Sequence, residues 1–187
     1  MKKIKVLAVL LALICCSSVY AKDFDWSECW CNYGGGIEKG DVILNLDGGL
    51  YYTDLAYVSN QNFWMVPPLM AELQFAAPIW KLPFTFGGYA GIRGYGYQYP
   101  GYSSSYFATF FGGEAAYHIM LPPEGLDVYV ITRVGLSIPF VSNSNVWLSE
   151  LFQFGEAIGA SWYFGKTFGL NLKFGYPFSK FGVSFKF

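Results

Sequence analysis

From residue 181 onward every second side chain is apolar: Phe181, Val183, Phe185 and Phe187 fall on one face of an extended segment, and Gly182, Ser184 and Lys186 fall on the other. A strand of period two presents one greasy face and one polar face, so this segment belongs between an apolar and a polar medium. The same period recurs along most of the chain. Beyond residue 21 no stretch reaches the ~18 apolar residues of a spanning helix, because Gly, Pro or a charge interrupts every run.

Period-two readings give eight strand candidates. The first, about 41–53, carries Val42, Leu44, Leu46, Leu50 and Tyr52 on one face; the second, about 63–77, carries Leu69, Ala71, Leu73 and Phe75. The third, about 83–95, offers Phe84, Phe86, Ala90 and Ile92, and the fourth, about 105–120, offers Phe107, Phe111, Ala115, Tyr117 and Ile119. The fifth, about 126–138, has Val128, Val130, Val134, Leu136 and Ile138, and the seventh, about 167–176, has Phe168, Leu170, Leu172 and Phe174. The terminal segment is the eighth. In the sixth, about 149–163, Phe152, Phe154, Ile158 and Trp162 share a face with Glu156, which requires either a bulge or a different phase.

Charges decide which face is which. Asp47, Glu72, Arg93, Glu114, Arg133, Lys173 and Lys186 each lie opposite the apolar row of their strand. A soluble barrel would put apolar residues inside and polar ones out, but here the polar face is sparse, small and rich in Gly. A lipid-facing Arg or Lys at mid-depth would cost about 2–4 kcal/mol. The expected fold is therefore all-β, an eight-stranded antiparallel up-and-down transmembrane β-barrel. Asp47, Glu72, Glu114, Arg133, Glu156 and Lys173 fall at similar distances from the short-turn end of their strands and are expected to form one charged layer across the lumen, with Arg93 counted in the same luminal set. Eight strands leave an interior just wide enough for side chains to fill, and buried charges must pair. A plugged barrel, not an open pore, follows.

The connections differ by side. Segments 78–82, 121–125 and 164–166 are short and turn-like, whereas 54–62, 96–104 and 139–148 are longer and rich in Ser, Asn, Tyr and Gly. Segment 177–180 is a shorter last loop. Short turns on one side and long loops on the other is the asymmetry of membrane barrels. Trp64 and Trp147 at loop ends, with Trp80 and Trp162 at turn ends, suit two interfacial girdles.

Lys2, Lys3 and Lys5, an apolar run from Val6 to Ile14 and the Val19-Tyr20-Ala21 site read as an export signal over residues 1–21. A lipoprotein signal acylated at Cys15 or Cys16 is the rival, although neither Cys follows the small residue such a site prefers. Of 12 basic and 13 acidic residues the leader holds three Lys, leaving 9 against 13, about −4, and no basic patch for nucleic acid. Loss of 21 of 187 residues leaves about 166, one domain. Residues 22–40 are then a periplasmic segment and 41–187 the barrel. Cys29 and Cys31 flank Trp30 in that segment, a spacing too tight for an unstrained bridge. A metal would need further thiol or imidazole ligands, and the mature chain adds only His118, so no metal and no cofactor are expected.

Residues 41–187 resemble the small eight-stranded bacterial outer-membrane barrels of the OmpX, OmpW and OmpA-transmembrane type, in alternation, export signal and the final strand Phe181, Val183, Phe185, Phe187, whose terminal aromatic the barrel-assembly machinery reads. The resemblance implies an outer-membrane location in a diderm bacterium, contact with lipopolysaccharide or an equivalent outer lipid, and a structural, surface-interaction or narrow-channel role. OmpW-like barrels have an apolar lumen, from which the charged layer departs. Lipid-modifying barrels of this size need a His with a nucleophile and an acid; the lone His118 has no nearby Ser in sequence, with Ser105 the nearest, so no enzyme is expected. Tyr95, Tyr97, Tyr99 and Tyr102 around Pro100-Gly101 form an aromatic loop suited to contact host or envelope ligands, or to pack on itself.

Overall fold

The computed structural model describes residues 37–51, 63–79, 82–99, 102–119, 125–141 and 151–187. Its eight strands are β1 (Val42–Tyr51), β2 (Phe63–Ala76), β3 (Phe84–Tyr99), β4 (Tyr102–Ile119), β5 (Leu126–Val141), β6 (Phe152–Tyr163), β7 (Phe168–Tyr176) and β8 (Phe178–Lys186). Each pairs antiparallel with its neighbour in sequence, and β1 pairs with β8, so the sheet closes on itself. Closure removes the sheet's edges, as a strand bundle in lipid requires, because no water is present there to satisfy an open edge.

Burial is inverted relative to a water-soluble protein. Outward side chains are large, apolar and exposed: Leu46, Leu73, Phe75, Phe111, Val134, Ile158, Leu172 and Phe181 among them. Inward side chains include Asn45, Asp47, Glu72, Gln74, Thr85, Glu114, Asp127, Lys173 and Ser184, all buried. Such a polarity pattern suits hydrocarbon outside and a packed polar lumen within. Among the described residues no helix is long and apolar enough to cross a membrane.

Two prolines shape β2. The register with β3 shifts between Val66 and Leu69, where Pro67 and Pro68 have no N–H to give the ladder, and a bulge absorbs the mismatch. In contrast, β6 pairs with β5 and β7 without any shift. The bulge considered for that strand is absent, and its alternation runs true with Glu156 on the outer face beside Phe154 and Ile158.

The loops depart from expectation in two places. Segment 96–104 is mostly strand, for β3 and β4 stay paired up to Tyr99↔Tyr102; the Tyr-rich run that reads as loop is made of good strand formers. At 177–180 the chain turns at Pro177 and β8 already begins at Phe178. The wall is consequently uneven. β3, β4 and β5 run 16, 18 and 16 residues, whereas β7 and β8 run 9 each. Phe84↔Tyr117 and Phe168↔Phe185 both close ladders at the turn end, so the surplus length projects at the loop end. Trp64 and Trp162 stand exposed near opposite ends of their strands. Trp80, Trp147, the segment 1–36 with its signal and CxC readings, and the loops 52–62 and 142–150 lie outside the described residues.

Candidate functional site: the luminal charge layer

Inward phase on six strands brings six charged side chains together. Glu72 on β2 is the hub, with its side chain wholly buried. Its carboxylate accepts from Lys173 Nζ at 2.5 Å and from Arg133 Nη2 at 2.7 Å, and also from Lys180 Nζ. Asn45 Nδ2 adds a donor at 3.1 Å. Asp47 Oδ2 takes a second bond from Lys173 at 2.7 Å and lies 3.7 Å from Lys180 Nζ. Glu114 accepts from Arg133 Nε at 2.8 Å and from Gln74 Nε2 at 2.7 Å. Three carboxylates (Asp47, Glu72, Glu114) thus meet three cations (Arg133, Lys173, Lys180), and the layer is neutral. Each ionic group has a partner, the condition under which burial of charge is tolerated.

Glycines on the inner face make room for the filling. A Cβ at Gly91 would meet the Phe110 ring, one at Gly135 the Tyr89 hydroxyl, and one at Gly159 the Tyr129 ring. On the loop side of the charges lies an apolar cap built from Met70, Tyr89, Phe110 and Phe178. Phe110 packs 5.9 Å from Phe178 and 6.3 Å from Tyr89, and the Arg133 guanidinium sits 6.0 Å from the centre of the Tyr89 ring.

Toward the turn end a hydrogen-bond chain continues from the layer. Gln74 donates to Glu114, Thr85 Oγ1 donates to Gln74 Oε1 at 2.9 Å, and His118 Nε2 lies 2.9 Å from Thr85 Oγ1. His118 Nδ1 lies 2.9 Å from Asp127 Oδ1. The spacing is that of a hydroxyl, imidazole and carboxylate triad. Gln74, whose amide nitrogen donates to Glu114, offers Thr85 an acceptor oxygen, so the Thr85 hydroxyl donates to Gln74 and presents a lone pair to His118. Thr85 is also fully buried, out of reach of any substrate. Sequence spacing did not reveal Thr85 or Asp127 as neighbours of His118.

Of the luminal set read from sequence, Asp47, Glu72, Glu114, Arg133 and Lys173 come together. Glu156 does not: it points outward on the unshifted β6. Arg93 lies nearer the loop end, where Nη2 donates to the Tyr106 hydroxyl at 3.0 Å and Tyr106 stacks on Tyr95 at 4.8 Å. Lys180, read from sequence as loop, is the cation that completes the layer. Lys186 is at the turn end, 3.7 Å from Asp41. Phe181 and Phe187 are exposed on the outer face, with Val183 and Phe185 half-buried there. Among the described residues no group of His, Cys, Asp and Glu is arranged to hold a metal.

Fold and interior together define a membrane-spanning β-barrel whose inner face carries paired, buried charges. No protein-family model matches the sequence, and no curated protein matches it. Three solved structures similar to it are barrels. The N-terminal β-barrel domain of Pseudomonas aeruginosa OprF shares 17% identity at a TM-score of 0.48, covering 80% of this chain and 98% of that one. Yersinia pestis outer membrane protein Ail shares 10% at 0.46, covering 80% and 100%. A de novo designed transmembrane β-barrel shares 11% at 0.45, covering 81% and 99%. At such identities the likeness extends no further than the fold.

Proposed function

We propose that this chain is an integral outer-membrane protein with a structural or surface-interaction role, its lumen sealed rather than conducting. One observation carries the reading: six charged groups from six strands neutralise one another in a single layer, beneath a lid of Met70, Tyr89, Phe110 and Phe178. An ion entering from either end would have to break bonds among groups buried on all sides. The raised β3–β5 wall is the part offered to ligands outside the cell. In this reading residues 1–21 direct export and are removed, the assembly machinery reads the last strand, and the exposed outer face meets lipopolysaccharide or an equivalent lipid. The chain has no catalytic task, and His118 is a lumen hydrogen-bonding residue.

Planar-bilayer recording of the purified protein tests the seal. No conductance comparable with a general porin is expected; conductance of that size sinks the reading. Location is tested separately, by co-fractionation with outer membranes and by faster migration of the unheated than the boiled protein on a denaturing gel. A second reading, a narrow route for small hydrophobic solutes, draws on the apolar cap alone. Uptake of such a solute into reconstituted liposomes would favour it.

A further inference from the structure

On the outer face of the described strands, one Asp, Glu, Lys, Arg or His side chain is exposed, and it is Glu156. Ile158 and Phe154 flank it along β6; Val134 on β5 and Phe174 and Tyr176 on β7 stand around it, all exposed. Among the described residues no hydrogen bond or ion pair engages its carboxylate. An ionisable group set in hydrocarbon has a cost, and in membrane proteins it commonly marks a contact.

Directly across the ladder from Glu156 is Thr132, also exposed and also outward. The pair is a hydrogen-bond acceptor beside a donor, one strand spacing apart, about 4.8 Å. Strands of such barrels tilt by about 35–45°, so the two differ in depth by roughly 3 Å, within side-chain reach, and stand side by side on the barrel wall. A two-fold axis along the membrane normal exchanges left for right at constant depth. It would set each Glu156 against the Thr132 of a second copy, twice over, which is the reciprocal pattern a two-fold contact requires.

We propose that this β5–β6 face is the interface of a homodimer in the membrane, in which each Thr132 hydroxyl donates to the Glu156 carboxylate of the other copy. Val134, Phe154, Ile158 and Phe174 supply the apolar surround. In lipid both groups are already out of water, so the paired bonds are gained without a further desolvation cost, and polar contacts of this kind hold spanning segments together. A basic partner protein would be the rival occupant; the donor beside the acceptor, self-complementary under a two-fold, is what favours a second copy. The inference rests on the outer face being in lipid.

Full-length protein, labelled with donor or acceptor dye, is reconstituted into phosphatidylethanolamine and phosphatidylglycerol vesicles, and energy transfer is followed as lipid dilutes protein. The wild type should associate. Glu156→Leu and Thr132→Val should each weaken association roughly tenfold, from two lost bonds, and the double variant should be no weaker than either single one. Heat-modifiable gel migration checks that every variant is folded. Transfer that is absent in the wild type, or unchanged in Glu156→Leu, overturns the dimer, as does association that appears only when a basic partner protein is added. Failure of the lipid premise would look different: the wild type would stay folded in plain buffer and not enter vesicles.

Discussion

Lys173 and Lys180 face each other directly across the β7–β8 ladder, and both ammonium groups bind the same carboxylate, that of Glu72. Like charges opposed on one sheet face repel, so the pair is stable only through what lies between them. Glu72→Gln should cost about 3–5 kcal/mol, since it leaves buried cations without compensation. Adding Lys180→Met removes one of those cations and should recover part of the loss, with a coupling of about 1–3 kcal/mol. Urea unfolding in detergent micelles measures both. Additive effects would show that Lys180 does not depend on the Glu72 carboxylate.

Val134 lies on the outer wall, 54% exposed. Val134→Arg should cost about 2–4 kcal/mol if that wall meets hydrocarbon, read as the equilibrium between unfolded and vesicle-inserted protein. Val134→Leu should be near neutral. Equal behaviour of the two variants would place the wall in water.

The hydroxyl, imidazole and carboxylate chain of Thr85, His118 and Asp127 is expected to stabilise and not to react. His118→Ala should lower stability by about 1–3 kcal/mol, because it strips partners from buried polar groups. A fluorophosphonate probe, which marks activated hydroxyl nucleophiles, should leave Thr85 unlabelled. Labelling there would assign the triad a chemical role.

Gly91 on the inner face, with Gly113 on the outer face as its control, offers a test of lumen packing. A Cβ at Gly91 would strike the Phe110 ring and the Leu69 carbonyl, whereas one at Gly113 would meet nothing nearer than 3.8 Å. Gly91→Ala should destabilise by about 1–3 kcal/mol as the cap is overpacked, and Gly113→Ala should change stability by less than about 0.5 kcal/mol. Thermal unfolding of the two variants in the same detergent compares them.

Strand phase was legible because alternation does double duty. The apolar row that places Leu170, Leu172 and Phe174 outside also places Lys173 inside, and the same logic puts Asp47, Glu72, Glu114 and Arg133 within. Glu156 faces outward because the alternation of its own strand sets it with Phe154 and Ile158, and that period outweighs the expectation that charges turn inward. Lys180 escaped for the opposite reason: Phe178, Lys180, Gly182 and Ser184 continue one inner row, but its position beyond Pro177 read as loop. The Thr85, His118 and Asp127 contacts depend on strand stagger around a closed sheet, and no local spacing encodes that.

The neutrality of the luminal layer has an electrical consequence. A potential across a membrane does about 2.3 kcal/mol of work per 100 mV on each elementary charge carried through it. Here three anions and three cations are bonded to one another in one stratum, so the pulls on them cancel. The proposed seal therefore offers voltage no net charge to pull on, and no opening is expected on either polarity.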